Sequence, residues 1–574
     1  MDNIRFALLC ALGVLGFMLY QAWQADYPSA PAHQEQQAAS SSQSSSGGQV
    51  SGFDTPPESG RDNEKAASSA SPTTPNNNGR VLGHGQTIHV VTDEMRVAID
   101  THGGDLRNIA LLNVPVSSDD PDSPLHLVND SLPNFFIVQS GLSGDSAPNH
   151  DSTFQATQQT YRMASDQDAL RVPLTWSDDS GHKVTKVYTF HRGSYRIDLD
   201  HEVVNGTDQP WQVSQYTRFW RNPYQRAGSI PFYSSFMGVG WYEAIAGKDD
   251  DYRYEKRAND DLSKDPLSTT QQGGWVAMVQ HYFIGAAIPP KDAQVKLLAH
   301  PKTGGDAGAD GFAAGFISAP RTVAAGQQQD LHTTLFIGPK LQDQLGAVAP
   351  GLDLTVNYGW LTVLARPIFW VLQKIHTVVG NWGVAIILLT CLIKLIFYKL
   401  SEKQYRAMAR MRKFAPRMQQ LKEKYGDDKQ QLQSKMMELY KKEGFNPLAG
   451  CWPMLVQMPV FIALYWMLRG AVELRLAPFL WLHDLTAPDP YYILPVIFGA
   501  TMFLQQRLQT NMTMDPMQQR MMQIMPLGMA VFFAFFPSGL VLYYCTNTFL
   551  SIAQQWYIYR KLDKEGLGHS APAK

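Results

Sequence analysis

Lys394 is the side chain whose chemistry most needs an explanation. It stands inside the apolar run Asn381–Leu400, NWGVAIILLTCLIKLIFYKL. At about 1.5 Å per residue, a helix of that length crosses a bilayer core. A cation inside it costs a few kcal/mol at least, so it requires a polar partner, a water-filled cavity or a path to the interface. Helical spacing puts Thr390 and Tyr398 one turn to either side of Lys394, on the same face. Such a wet stripe suits a polar recess within the membrane that serves as the working site. A second reading stays open: the four-carbon stem of Lys394 is long enough to snorkel to the headgroups and do nothing else.

The other apolar segments weigh between these readings. Spans are expected at Trp452–Leu468, Tyr491–Leu508, Arg520–Phe536 and Leu540–Ile558. None of them carries an Asp, Glu or His in its interior. Proton relays and intramembrane hydrolysis need such groups, so their absence argues against both classes. Uncharged polarity is present instead. Tyr544, Thr548, Ser551 and Gln555 recur at helical spacing in the last span, and Gln457 lies in the third. Each by itself is ordinary helix–helix glue. Together with one lysine they outline a shared polar chamber. Met521, Met522, Met525 and Met529 run through the fifth span, where flexible thioethers fit either core filling or a slide for varied apolar segments.

Between the second and third spans, residues 401–445 are helix-prone and basic, and include Arg406, Arg410, Arg412, Lys413 and Arg417. Gly426-Asp427-Asp428 divides them into a hairpin. The positive-inside rule makes this hairpin cytoplasmic. Beyond setting topology, it suits an anionic partner such as lipid headgroups or ribosomal RNA.

The elements that position these groups follow in order. Residues 1–23 read as an uncleaved transmembrane signal anchor with Met1 in the cytoplasm. Residues 24–80, rich in Ser, Gln and Pro, are too polar to bury a core and form a flexible tether. Residues 81–350 read as an all-β sandwich. Tyr195, Ile197, Leu199 and Val203 alternate with Arg196, Asp198, Asp200 and Glu202, as in a half-buried antiparallel strand. Further strands are expected at 88–91, 95–99, 183–191, 211–219, 275–279 and 333–337. The histidines and acids of this domain are expected on solvent faces. Residues 351–379 suit an amphipathic helix lying in the interface. A helical core follows over 380–560, and 561–574 is a cytoplasmic tail. The anchor and five core helices make six spans, with the β domain outside. The 4 cysteines, Cys10, Cys391, Cys451 and Cys545, all lie in or beside apolar segments, so neither a disulfide framework nor a metal site is expected.

The stretches Gly380–Gly383, Asn446–Cys451, Gln457–Pro459, Asp489–Pro495, Asp515–Gln519 and Phe536–Tyr544 resemble those of the YidC/Oxa/Alb membrane protein insertases, in the long form of Gram-negative bacteria. The likeness covers nearly the whole chain. It implies a periplasmic β-supersandwich and a five-helix core with a hydrophilic groove in the inner membrane. Lys394 matches the position of the family's groove arginine, keeping the charge without the planar fork of donors. Thr390, Gln457 and Tyr544 match groove-lining positions. The implied partners are nascent membrane proteins, the Sec translocon with its accessory subunits, the ribosome and the lipid bilayer, without DNA, cofactor or enzymatic chemistry. The rival from another class is a transporter or channel with a polar pore.

Overall fold

A computed structural model describes residues 82–118, 120–223, 236–245, 252–303, 310–426, 428–442, 452–509 and 516–564. The anchor (1–23), the tether (24–80) and most of the tail (565–574) lie outside the described residues.

Residues 87–339 build two sheets, one of eleven strands and one of nine. Neighbouring strands pair antiparallel, except that Thr87–Val91 runs parallel to Thr160–Arg162. The expected strands appear at Thr87–Val91, Met95–Asp100, His182–His191, Arg196–Asn205, Trp211–Arg221, Trp275–Val279 and Gln328–Pro339. Alternation put them there: Ile197, Leu199 and Val203 are buried, and Asp200 and Glu202 between them are only half-buried, although Asp198 is buried as well. The sheets touch at Gly285, where a β-carbon would press against the rings of Phe136 and Phe219 from the other sheet.

One expectation for this domain fails. Its charged groups are not all on solvent faces. Asp105, Lys186, Arg218, His201 and Arg107 are all buried. Lys186 Nζ crosses between sheets to donate to the carbonyls of Gly103 and Ser140, at 2.7 and 2.8 Å. Burial pushes the Asp105 carboxyl up and the Lys186 ammonium down to about 8, each partly offset by the other's charge. Period-2 patterning cannot foresee this, because a polar residue on an inward face looks like one on an outward face until its partners converge.

After the short helix Gln342–Val348, eight longer helices follow among the described residues: α1 (Thr362–Val379), α2 (Trp382–Ile396), α3 (Tyr398–Tyr425), α4 (Lys429–Lys442), α5 (Trp452–Gly470), α6 (Ile493–Gln509), α7 (Pro516–Phe533) and α8 (Ser538–Lys564). Gly380 ends α1 in the left-handed region at φ +68°, and the Asn381 side chain caps α2 by accepting from Val384 N at 3.1 Å. At Gly383 a β-carbon would sit 2.2 Å from the Phe479 ring, so this position takes only glycine without a shift. Gly426 ends the first arm of the basic hairpin and Lys429 opens the second.

Among the described residues no single helix is long and apolar enough to cross a membrane; α2 with the start of α3 passes as a pair bent by 61°. The run read as one straight span breaks at Phe397, leaving α2 with 15 residues, or about 22 Å. Pro459 and Pro526 interrupt α5 and α7, and polar residues dilute α8.

The sandwich and the helices are joined by polar contacts. Arg475 donates to the carbonyls of Pro115 and Val116, both at 3.0 Å. His281 and Tyr282 donate to the Arg469 carbonyl. Glu473, in the turn Val472–Leu474 between α5 and α6, accepts from Gln342 N at 3.4 Å. Its second oxygen has no partner, and burial pushes its carboxyl up to about 7. A free Glu titrates near 4.5, so between there and about 7 the native chain holds a proton that the unfolded chain has lost. This group therefore costs stability as pH rises through that window, and the cost is complete above it. Glu473→Gln should raise the melting temperature of the detergent-solubilised protein at pH 7.5 by several degrees more than at pH 5. An equal offset at both pH values would show that Glu473 is already ionised at pH 5.

Candidate functional site

Helix α8 lies at the centre of the bundle and packs against α2, α3, α5 and α6. Its inward face carries the stripe seen in the sequence: Thr548 and Ser551 are buried and Gln555 is fully so. Lys394 Nζ, from the last turn of α2, donates to Ser551 Oγ at 2.7 Å. Ser551 Oγ in turn donates to the Asn547 carbonyl, also at 2.7 Å. Lys394 is half-buried, and its ammonium has found a helix partner instead of extending to an interface. That geometry counts against the snorkelling reading. A single hydroxyl satisfies one of its three protons and none of its charge, so the ammonium keeps capacity for an anionic group.

Two further groups converge on this point. Tyr405 Oη, from α3, donates to the Ser551 carbonyl at 3.4 Å. Gln555 sits one turn beyond Ser551 with neither amide atom hydrogen-bonded, and Gln554 Oε1 is likewise buried without a partner. A buried amide without partners is costly, so this wall of the site has unmet demand for polar groups. The Gln555 spacing was visible in the sequence. Tyr405 was not, because its contact spans 146 residues of chain and lies beyond a bend.

Several predicted members of the groove fall elsewhere. Tyr398 opens α3 beyond the 61° bend, so it does not continue the face that bears Lys394. Thr390 is buried and spends its hydroxyl on the Ile386 carbonyl of its own helix at 2.7 Å. Tyr544 lies in an aromatic cluster, with ring centroids 4.6 Å from Phe533 and 4.9 Å from Phe461. Gln457 is half-buried and bonds Tyr543, the neighbour of Tyr544. Spacing alone could not separate these, since a helix face does not say which helix covers it.

At the hairpin end, Glu402 gathers Arg406 and Lys561, at 3.1 and 3.3 Å. These ties and the contact of Tyr405 with Ile558 and Leu562 dock the start of α3 on the end of α8. Arg417 is exposed. Arg410, Arg412 and Lys413 lie on α3, and Met521 and Met522 on α7, with side chains outside the described residues. Met525 is about half exposed and continues the outward apolar face of Ile524, Leu527 and Val531, whereas Met529 packs against the core. Among the described residues no group of His, Cys, Asp or Glu is placed to hold a metal ion.

A family model described as the YidC periplasmic domain matches residues 87–371, and one described as 60Kd inner membrane protein matches residues 374–565. Proteins named membrane protein insertase YidC from Nitrosococcus oceani and Thioalkalivibrio sulfidiphilus are each 44% identical to this chain, over 572 and 587 residues. Each alignment covers 99% of this chain and 100% of the relative. A solved structure described as an active YidC insertase aligns with 83% of this chain and 93% of its own at 19% identity, with a TM-score of 0.39. The chain thus belongs to the YidC family of membrane protein insertases, inner-membrane proteins that carry a periplasmic β-sandwich domain ahead of a helical C-terminal region.

Proposed function

We propose that this chain inserts nascent membrane proteins into the inner membrane through the polar recess around Lys394. The observation that carries the mechanism is one ammonium held by a serine hydroxyl in a bundle whose outward faces are apolar. The polar or acidic leading segment of a client enters from the cytoplasm, attracted by Lys394, and exchanges water for Ser551, Gln554 and Gln555. This shortens the path its polar groups travel through hydrocarbon and lowers the barrier to crossing. The client's apolar segment meanwhile leaves along the exposed face of α7, driven by burial of apolar surface in lipid. No covalent step takes part.

In this reading the chain spans the membrane six times: once with the anchor and five times with α2, α5, α6, α7 and α8, with α2 bending into α3. Both termini and the basic hairpin face the cytoplasm, where the hairpin's cations meet the ribosome or acidic headgroups. Helix α1 lies in the outer interface, with Val363, Trp370 and Val378 exposed for lipid. The Sec translocon is a partner for clients with large translocated domains.

The test is photocrosslinking from Gln554 and Tyr544 to a ribosome-bound nascent membrane protein, with Leu392, on the far face of α2 from Lys394, as control. Adducts from Gln554 but not Leu392 are expected. Tyr544, inside its aromatic cluster, should react less. Insertion that proceeds with no adduct from Gln554 would place the client's path elsewhere.

A further inference from the structure

We propose that the β domain holds a second site, outside the helical core, for a small tetrahedral oxyanion of the phosphate class seated on Arg107. The strand Asp105–Ser117 pairs with Met95–Asp100 through a bulge: Ile99 faces Leu106 and Ala98 faces Asn108, leaving Arg107 as the extra residue. A bulge of this kind re-aims a side chain. Here it places Arg107 among the residues bordering a cavity of about 200 Å³, together with Arg96, Asn108, His126, His89 and His84. That size is below the range of pockets for larger organic ligands, roughly 300–1,000 Å³, and suits one compact polar group with water.

The guanidinium lacks what a buried cation needs. Its side chain is 5% exposed, and its Nε and Nη1 have no hydrogen-bond partner. The nearest carboxylate, Asp105, stands 3.5 Å from Nη2 and is already taken up by Gln139 Nε2 and Ser140 N. Asp105 also faces the buried ammonium of Lys186, so one acid serves two buried cations. A bound oxyanion would supply the missing charge, and Arg is the side chain best matched to tetrahedral oxyanions.

Two acids on the cavity wall do not cancel this. Asp100 accepts from Gly85 N and His102 N at 2.7 and 2.8 Å, and its other oxygen meets His84 Nδ1 at 3.1 Å. Asp130 lies 4.0 Å from the same His84 nitrogen. His126 shares a hydrogen bond with Asn108 at 2.9 Å, and burial beside Arg96 lowers its pKa, so it serves as a neutral hydrogen-bonding group. The anion has two chemical sources, a free phosphate ion or the phosphate of a glycerophospholipid headgroup.

The experiment is isothermal titration of the full chain in nonionic detergent at constant ionic strength, with inorganic phosphate and with glycerophosphoglycerol as probes. Saturable one-site binding is expected for at least one probe. Tighter binding of phosphate identifies the free ion, and tighter binding of glycerophosphoglycerol identifies the headgroup. Arg107→Met should weaken the preferred probe at least tenfold, and Arg96→Gln, at the rim, several-fold. Arg171→Gln, at an exposed pair with Glu202 on the other sheet, should leave it unchanged. Without ligand, Arg107→Met removes a buried guanidinium whose Nε and Nη1 lack partners and should melt close to the wild-type temperature, which separates lost binding from lost folding. No saturable binding of either probe, or binding unchanged in both Arg107→Met and Arg96→Gln, overturns the proposal.

Discussion

Lys394→Met is expected to slow insertion of a client with an acidic leading segment by about ten- to a hundredfold in proteoliposomes. The basis is the value of a hydrogen bond or ion contact to a charged group, about 1.5–3 kcal/mol, where about 1.4 kcal/mol is a factor of ten. Methionine keeps the length and apolar stem of lysine, so packing around α8 is little disturbed. Lys394→Arg should retain most of the rate, because the charge persists even though its geometry changes. Ser551→Ala removes the partner that holds the ammonium at 2.7 Å and should cost less than removal of the charge. Neutralising the client's acids should also shrink the difference between wild type and Lys394→Met. Equal insertion rates for wild type and Lys394→Met would mean that the lysine is merely tolerated in the span, as in the snorkelling reading, and that the recess is structural.

Asp489→Ala should cost about 3 kcal/mol or more of stability. The carboxylate is 2% exposed and holds three donors: Tyr491 N at 3.0 Å, Trp481 Nε1 at 3.2 Å and Leu494 N at 2.7 Å. It closes the first turn of α6 and fixes the loop before it, where Tyr492 sits in the left-handed region at φ +58°. A non-glycine residue there is strained, and persists only when its surroundings hold it. Alanine leaves all three donors without acceptors in a site that water barely reaches. The expected result is a melting temperature lower by several degrees in detergent, with new tryptic cleavage at the arginines flanking the loop, Arg475 and Arg507. Asp489→Asn, which keeps one acceptor and turns a donor toward Leu494 N, should fall between. A variant that melts with the wild type would show that packing of α6 against α8 alone fixes this corner.

The family motifs read in the sequence acquire structural reasons here. Gly380–Gly383 is a helix end, a cap and a position closed to a β-carbon by Phe479. Pro537-Ser538-Gly539 is the turn that ties the start of α8 to the loop 484–487, through Ser538 N to the Ala487 carbonyl and Gly539 N to the Leu485 carbonyl, both 2.8 Å. These two stretches shape the fold beside the recess.

Seven of the strands, the presence of the core helices and the hairpin break at Gly426 were legible in the sequence alone, because period-2 alternation, apolar runs and glycine act within a few residues of chain. So was the unusual standing of Lys394, since a charge in an apolar run has a cost wherever the run is placed. Which polar residues meet that lysine was decided only by tertiary structure. Ser551 reaches it across 157 residues, while Thr390, a single turn away, turns its hydroxyl to its own backbone. The bend at Phe397 removed Tyr398 from the group, and the buried cations of the β domain came together across two sheets. Local patterns fix which face of an element is polar; packing fixes what that face meets, because partners, dielectric and shape all come from segments distant in the chain.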